Sequence, residues 1–129
     1  MRIAVQDPQA RALTARIWNA FPVAQPAFAK LLGLLDLEVT QEVPTAAVTL
    51  GLDARLLVNP DFAEAHCRTD AALVMLVLHE LWHVALGHTR LYERLTPAQN
   101  WAFDCLINAQ LCIQFPDAAH TRLFRELYA

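Results

Sequence analysis

A long apolar run from Ala71 to Gly87 carries the pentapeptide His79-Glu80-Leu81-Trp82-His83 near its middle. A surface helix keeps a polar face, and this run has apolar residues on every side, so it predicts a helix buried all round with the rest of the chain packed about it. Residues at i and i+4 of a helix share a face, which aims the imidazoles of His79 and His83 at one point. Buried imidazoles and a buried carboxylate need partners that an apolar helix does not offer. A metal ion supplies one partner for all three. Glu80 is turned about 100° from His79 and about 60° from His83, off the shared face. That placement suits a general base acting on a metal-bound water rather than a ligand.

Around this helix the pattern reads as α+β. Residues 8–21 have helical spacing, with Pro8 in the opening turn and Pro22 ending the segment. Pro26 to Leu35 reads as a short second helix, and Leu37 to Val43 as a strand. Thr45–Leu50 and Ala54–Asn59 read as a β-hairpin joined by Gly51-Leu52-Asp53. Asn59-Pro60-Asp61 reads as a turn. Thr69 or Asp70 is the expected N-cap of the buried helix and Gly87 its stop. Thr96-Pro97 opens a last long helix that runs to about Gln114. The tail from His120 to Ala129 is expected to add a helical turn or two. Strands and helices are grouped rather than alternating, which disfavours a doubly wound parallel sheet. The expected architecture is a small antiparallel sheet or hairpin packed with the buried helix and a second long helix.

At 129 residues the chain is read as a single domain, 1–129, with room for a sizeable core. Its composition is 56% hydrophobic and 18% charged, against disorder. One lysine, nine scattered arginines and a net charge of -3 provide no basic face for nucleic acid. Residues 1–18 lack the apolar core of a signal peptide. Three ionisable groups inside the apolar run argue against a bilayer span. The expectation is a cytoplasmic protein with neither nucleic acid nor membrane as partner. Cys67, Cys105 and Cys112 form no C-x-x-C pair and are expected as buried free thiols, with Cys105 in the core. Trp82 and Trp101 are likewise expected in the core.

A catalytic zinc takes three protein ligands and leaves a position for water. Asp104, on the last helix, is the preferred third ligand. Asn100, Asp104 and Asn108 form one stripe at i, i+4, i+8, so the two asparagines are expected to support Asp104 from a second layer. His88 is the alternative ligand and needs Gly87 to break the helix at once. His120 has little beyond its side chain in its favour. Tyr92 or His88 could donate to an oxyanion.

The stretch from Val77 to Arg90, containing His79, Glu80, His83 and Gly87-His88, resembles the signature of a bacterial family of metallopeptidase-type domains. Trp101-Ala102-Phe103-Asp104-Cys105-Leu106-Ile107-Asn108 is similar to that family's A-x-D-x-x-I-N element, and Leu56 to Phe62 to its strand-turn entry. The resemblance implies a zincin-like fold, a zinc ion on His79 and His83, Glu80 as general base, and Asp104 and His88 as site residues. It also implies a partnership with a MoxR-type AAA ATPase. In the family the domain usually precedes a von Willebrand A-like domain. This chain ends without one, so it is expected to be a fragment or a stand-alone member.

Three functions compete on these grounds. The first is a zinc metallopeptidase acting on a peptide or protein substrate, which adds to an edge of the hairpin sheet. The second is a metal-stabilised or catalytically silent interaction module that works with an AAA ATPase or a von Willebrand A partner. A fully ligated metal would favour it. The third is a metal-dependent regulator or toxin-like protein acting on something other than a peptide.

Overall fold

In the structure, a computed structural model, residues 8–20, 26–49, 54–86 and 96–128 are described. The elements run α1 (Pro8–Ala20), α2 (Pro26–Leu34), β1 (Asp36–Val39), β2 (Ala46–Thr49), β3 (Arg55–Val58), α3 (Pro60–His66), α4 (Asp70–Ala85), α5 (Pro97–Gln114) and α6 (Ala118–Tyr128). The fold is α+β, as expected.

Helix α4 is the axis of the molecule. Alanine, leucine and methionine favour helix, and no glycine or proline interrupts residues 70–85. Thr69 caps its start, its side chain accepting from Ala72 N at 3.2 Å. Residues 72–79, Leu81 and His83 are buried. They are covered by α1, α2, β2, α5 and α6, which all pack against α4. Complete burial of Leu73, Met75, Leu78 and Leu81 is worth about 1.5–3 kcal/mol for each side chain. That is the physical reason the run can be apolar on every side.

The sheet has the order β1-β3-β2. β2 and β3 pair antiparallel, as the hairpin pattern predicts, with Ala46 opposite Val58 and Thr49 opposite Arg55. The joining residues 50–53 lie outside the described residues. β1 joins in parallel with β3, Asp36 opposite Arg55 and Val39 opposite Val58, so the sheet is mixed rather than wholly antiparallel. β1 also stops at Val39, short of the expected Val43.

Two further elements differ from the sequence reading. Asn59-Pro60-Asp61 is the start of α3 rather than a plain turn. Asn59 Oδ1 accepts from Asp61 N at 2.8 Å and Phe62 N at 3.0 Å, while its Nδ2 donates to Val43 O at 2.8 Å. One side chain therefore caps α3 and ties it to the sheet. The tail forms a helix of 11 residues, α6, longer than the turn or two expected. Asp117 accepts from His120 N at 3.2 Å at its start, and Leu123 and Phe124 enter the core. No helix among the described residues is long and apolar enough to cross a membrane.

Candidate metal centre

His79 and His83 stand one turn apart on α4 with their ring centroids 4.9 Å apart. The facing element is α5. Thr96 and Gln99 close a reciprocal capping box at its start, and Pro97 occupies its first turn. Ile107 and Leu111 anchor it in the core. This rotation brings the Asn100–Asp104–Asn108 stripe to the side of α4.

Three atoms converge. His79 Nε2 lies 3.0 Å from Asp104 Oδ1, His83 Nε2 lies 3.1 Å from the same oxygen, and the two Nε2 atoms are 3.2 Å apart. On the far side of the ring, Asn108 Oδ1 accepts from His79 Nδ1 at 2.7 Å. With the proton on Nδ1, the Nε2 lone pair of the neutral ring points at a carboxylate oxygen and a second imidazole nitrogen. Such a meeting of electron pairs calls for a cation between them, either a proton or a metal ion. Among the described residues this is the group of His, Cys, Asp or Glu side chains placed to hold a metal ion. Tetrahedral zinc, with ligands at ~2.0–2.1 Å, needs ligand atoms about 3.3–3.4 Å apart. The observed triangle is slightly tighter than that and of the same shape. Donor set and spacing both fit zinc.

The electrostatics agree. Burial disfavours a charged His79, but its contact with Asp104, the nearby Glu80 and Asp104 charges and the Asn108 contact outweigh it, and its pKa is raised. Partial burial opposes ionisation of Asp104, and the close approach of both imidazoles to its carboxyl oxygen overcomes it, holding the carboxyl well below the usual carboxylate range. Glu80 behaves oppositely. Burial raises its carboxyl from 4.5 to about 7, against the pull of His79 and His83.

These groups line a cavity of about 360 Å³, walled by α4, α5, α6 and β2. Glu80 is on its wall beside the histidines, and Asn100 reaches it from α5. Phe124, from α6, sets its ring 6.0 Å from that of His79. Phe124 is not among the residues singled out from the sequence. The signal was the spacing of Leu123, Phe124 and Leu127, which marks an apolar helix face without naming what it meets.

Of the residues singled out from the sequence, the structure brings together His79, His83, Asp104 and Asn108, with Glu80 and Asn100 on the same cavity. His88, Tyr92 and the stop at Gly87 lie outside the described residues. His120 is elsewhere, bonded to Asp117 at 2.7 Å and stacked on Phe115. Two expectations are corrected. Trp101 is 66% exposed and Cys105 is exposed, because turning the polar stripe of α5 inward turns those residues outward. Trp82 is partly buried against Phe28, and Cys67 is the fully buried thiol, its pKa pushed up to about 12 by burial.

Neither the curated proteins nor the solved structures include a match to this chain. A family model described as "Putative metallopeptidase domain" does match it, over residues 11–126, a span that includes every group in the cluster. By that match, the chain belongs to this metallopeptidase-type domain family.

Proposed function

We propose that this chain is a zinc metallopeptidase. The observation that carries the reading is the convergence of His79 Nε2, His83 Nε2 and Asp104 Oδ1 on one point of a cavity whose wall also bears Glu80. Among the described residues three protein groups converge, and a zinc held by three protein ligands keeps a position for water, as a hydrolytic site needs.

His79, His83 and Asp104 would hold the ion, and Asn108 would fix the ring of His79 with its Nε2 lone pair inward. When bound, zinc supplies a Lewis acid and lowers the pKa of water toward ~7. Glu80 takes the proton of the attacking water and returns it to the departing amine. A raised carboxyl pKa suits that exchange, since a base near the working pH both accepts and gives up a proton readily. Phe124 and Leu76 give the site apolar walls, which strengthens the charge interactions beside them.

The test is a pair of measurements on Glu80→Gln. Zinc content should equal that of the unaltered protein, while cleavage of quenched peptides should fall by about 10²–10⁴-fold. Adding a MoxR-type AAA ATPase with ATP, the partner implied by the sequence resemblance, should raise only the cleavage that depends on Glu80. Loss of zinc from Glu80→Gln, or undiminished cleavage, would overturn the assignment of Glu80.

A further inference from the structure

Helix α5 is apolar on two opposite faces. One holds Ile107 and Leu111 in the core beside the metal cluster. The other carries Trp101, Ala102, Cys105, Leu106, Ala109 and Ile113, all exposed, with Trp101 at 66%, Leu106 at 59% and Ile113 at 74%. At about 100° per residue these six and Ala98 fill one arc about 140° wide, and no polar residue of the helix falls inside it. Asp104 is the single Asp, Glu, Lys or Arg of α5, and it points at His79 and His83. Helix α6 shows what a solvated face of this chain looks like, with Arg122, Arg125 and Glu126 outward. The other large exposed apolar side chains among the described residues are spread over α1, α2, the end of α4 and α6. Scattered apolar residues are ordinary on a surface, whereas a contiguous patch marks a contact.

A second copy of the chain suits this face. The face carries no charge, so it does not repel its own image and selects no oppositely charged partner. With no Lys or Arg in α5, it also lacks what an interfacial helix sets against lipid headgroups. Its side-chain sizes match under two-fold symmetry. An axis crossing α5 between Cys105 and Leu106 runs two such helices antiparallel and sets Ala98 opposite Ile113 and Ala102 opposite Ala109. Alanine on alanine lets the helices approach to about 8 Å, and the large residue at each end meets a small one. The two copies of Leu106 then meet on one flank of the contact and the two copies of Cys105 on the other. The arc offers on the order of 500 Å² per chain, at the lower bound for a specific dimer, so the pair should be weak and exchange quickly. Such exchange leaves the Cys105 thiol open to reagents.

We propose that the outer face of α5 is the interface of a two-fold homodimer, in which two α5 helices pack antiparallel about Cys105 and Leu106 and dissociate in the micromolar range. Each metal cluster lies on the opposite side of its own α5. The two clusters therefore face away from the axis, and the dimer does not depend on the peptidase reading.

Sedimentation equilibrium of the full-length chain from about 1 to 200 µM reads the assembly, and the parent should pass from 14.5 kDa to twice that mass with a midpoint in the micromolar range. Leu106→Glu and Ile113→Glu each bury two unpaired carboxylates in the contact and should raise the dissociation constant by at least ~100-fold. Leu34→Glu, at a position 79% exposed on α2, should leave it unchanged. Circular dichroism and zinc content report whether each variant is folded. In the parent, a short bis-maleimide should join Cys105 to Cys105, and Cys105→Ser should abolish the linked species. If a glutamate variant unfolds, that link decides alone. A parent that stays monomeric throughout the range overturns the proposal and assigns the face to a different chain. A dimer that survives both folded glutamate variants also overturns it, as does a maleimide link that runs through Cys112 in place of Cys105.

Discussion

Asn108 decides which way His79 faces. Its Oδ1 accepts from His79 Nδ1 across 2.7 Å, so Nε2 is left to the cluster. Asn108→Ala should lower zinc affinity by about 10–100-fold with the fold retained, measured by competition with a chromogenic chelator. Unchanged affinity would remove the orienting role. Glu80 makes a second prediction, for the metal-free protein. Its folded pKa of about 7 lies above its ordinary 4.5, so the fold keeps a proton that the unfolded chain releases between those values. Its contribution to stability is full below that window and is lost as pH rises through it. Urea midpoints in chelator should therefore fall between about pH 5 and pH 7.5, and fall less for Glu80→Gln. Equal slopes would contradict the burial of that carboxyl. Much of this site was legible in the sequence because helical periodicity fixes which residues share a face. That put His79 with His83, and Asp104 with Asn108. It could not separate Asn108, which touches His79, from Asn100, which only reaches the cavity. That difference comes from where α5 crosses α4.

At the scale of elements, the site depends on the alignment of α4 and α5. Leu78 lies opposite the polar groups of α4 in the core at 1% exposure, and Leu78→Ala should cost about 2–5 kcal/mol by urea unfolding. Thr96→Ala breaks the capping box of α5 and should cost about 1 kcal/mol. It should also weaken zinc binding, since Asp104 lies two turns along the same helix. A loss of stability with no change in zinc affinity would show that the start of α5 does not set the position of Asp104. Caps and prolines made the start of α4 and both ends of α5 readable. Asn59-Pro60 carried the same signal for α3, and the short segment that follows it read as a turn. β1 was readable as a strand but its partner was not. Parallel pairing with β3 is a long-range choice, made by packing of β1 against α1 and not by local pattern.

For the molecule as a whole, burial sorts the cysteines. Cys105 is exposed, Cys112 half-buried and Cys67 buried with its thiol pKa pushed up to about 12. A thiol reagent should modify Cys105 at once in the native protein and Cys67 only on unfolding. Rapid native reaction of Cys67 would contradict the packing of α3 on α1. The sequence could not sort these thiols, because the inward turn of the α5 stripe follows from the polar cluster rather than from overall amphipathicity. Metal and fold should also be linked. A cation bound only by the folded chain raises the melting temperature with its concentration, and chelator lowers it. The most direct measurement of the central claim is anomalous diffraction at the zinc edge from crystals of the purified chain, with elemental analysis of the same preparation. One zinc per chain is predicted, bound by His79 Nε2, His83 Nε2 and Asp104 Oδ1, and lost in His79→Ala and His83→Ala. Zinc bound elsewhere, or zinc on the two histidines with Asp104 turned away, would contradict it.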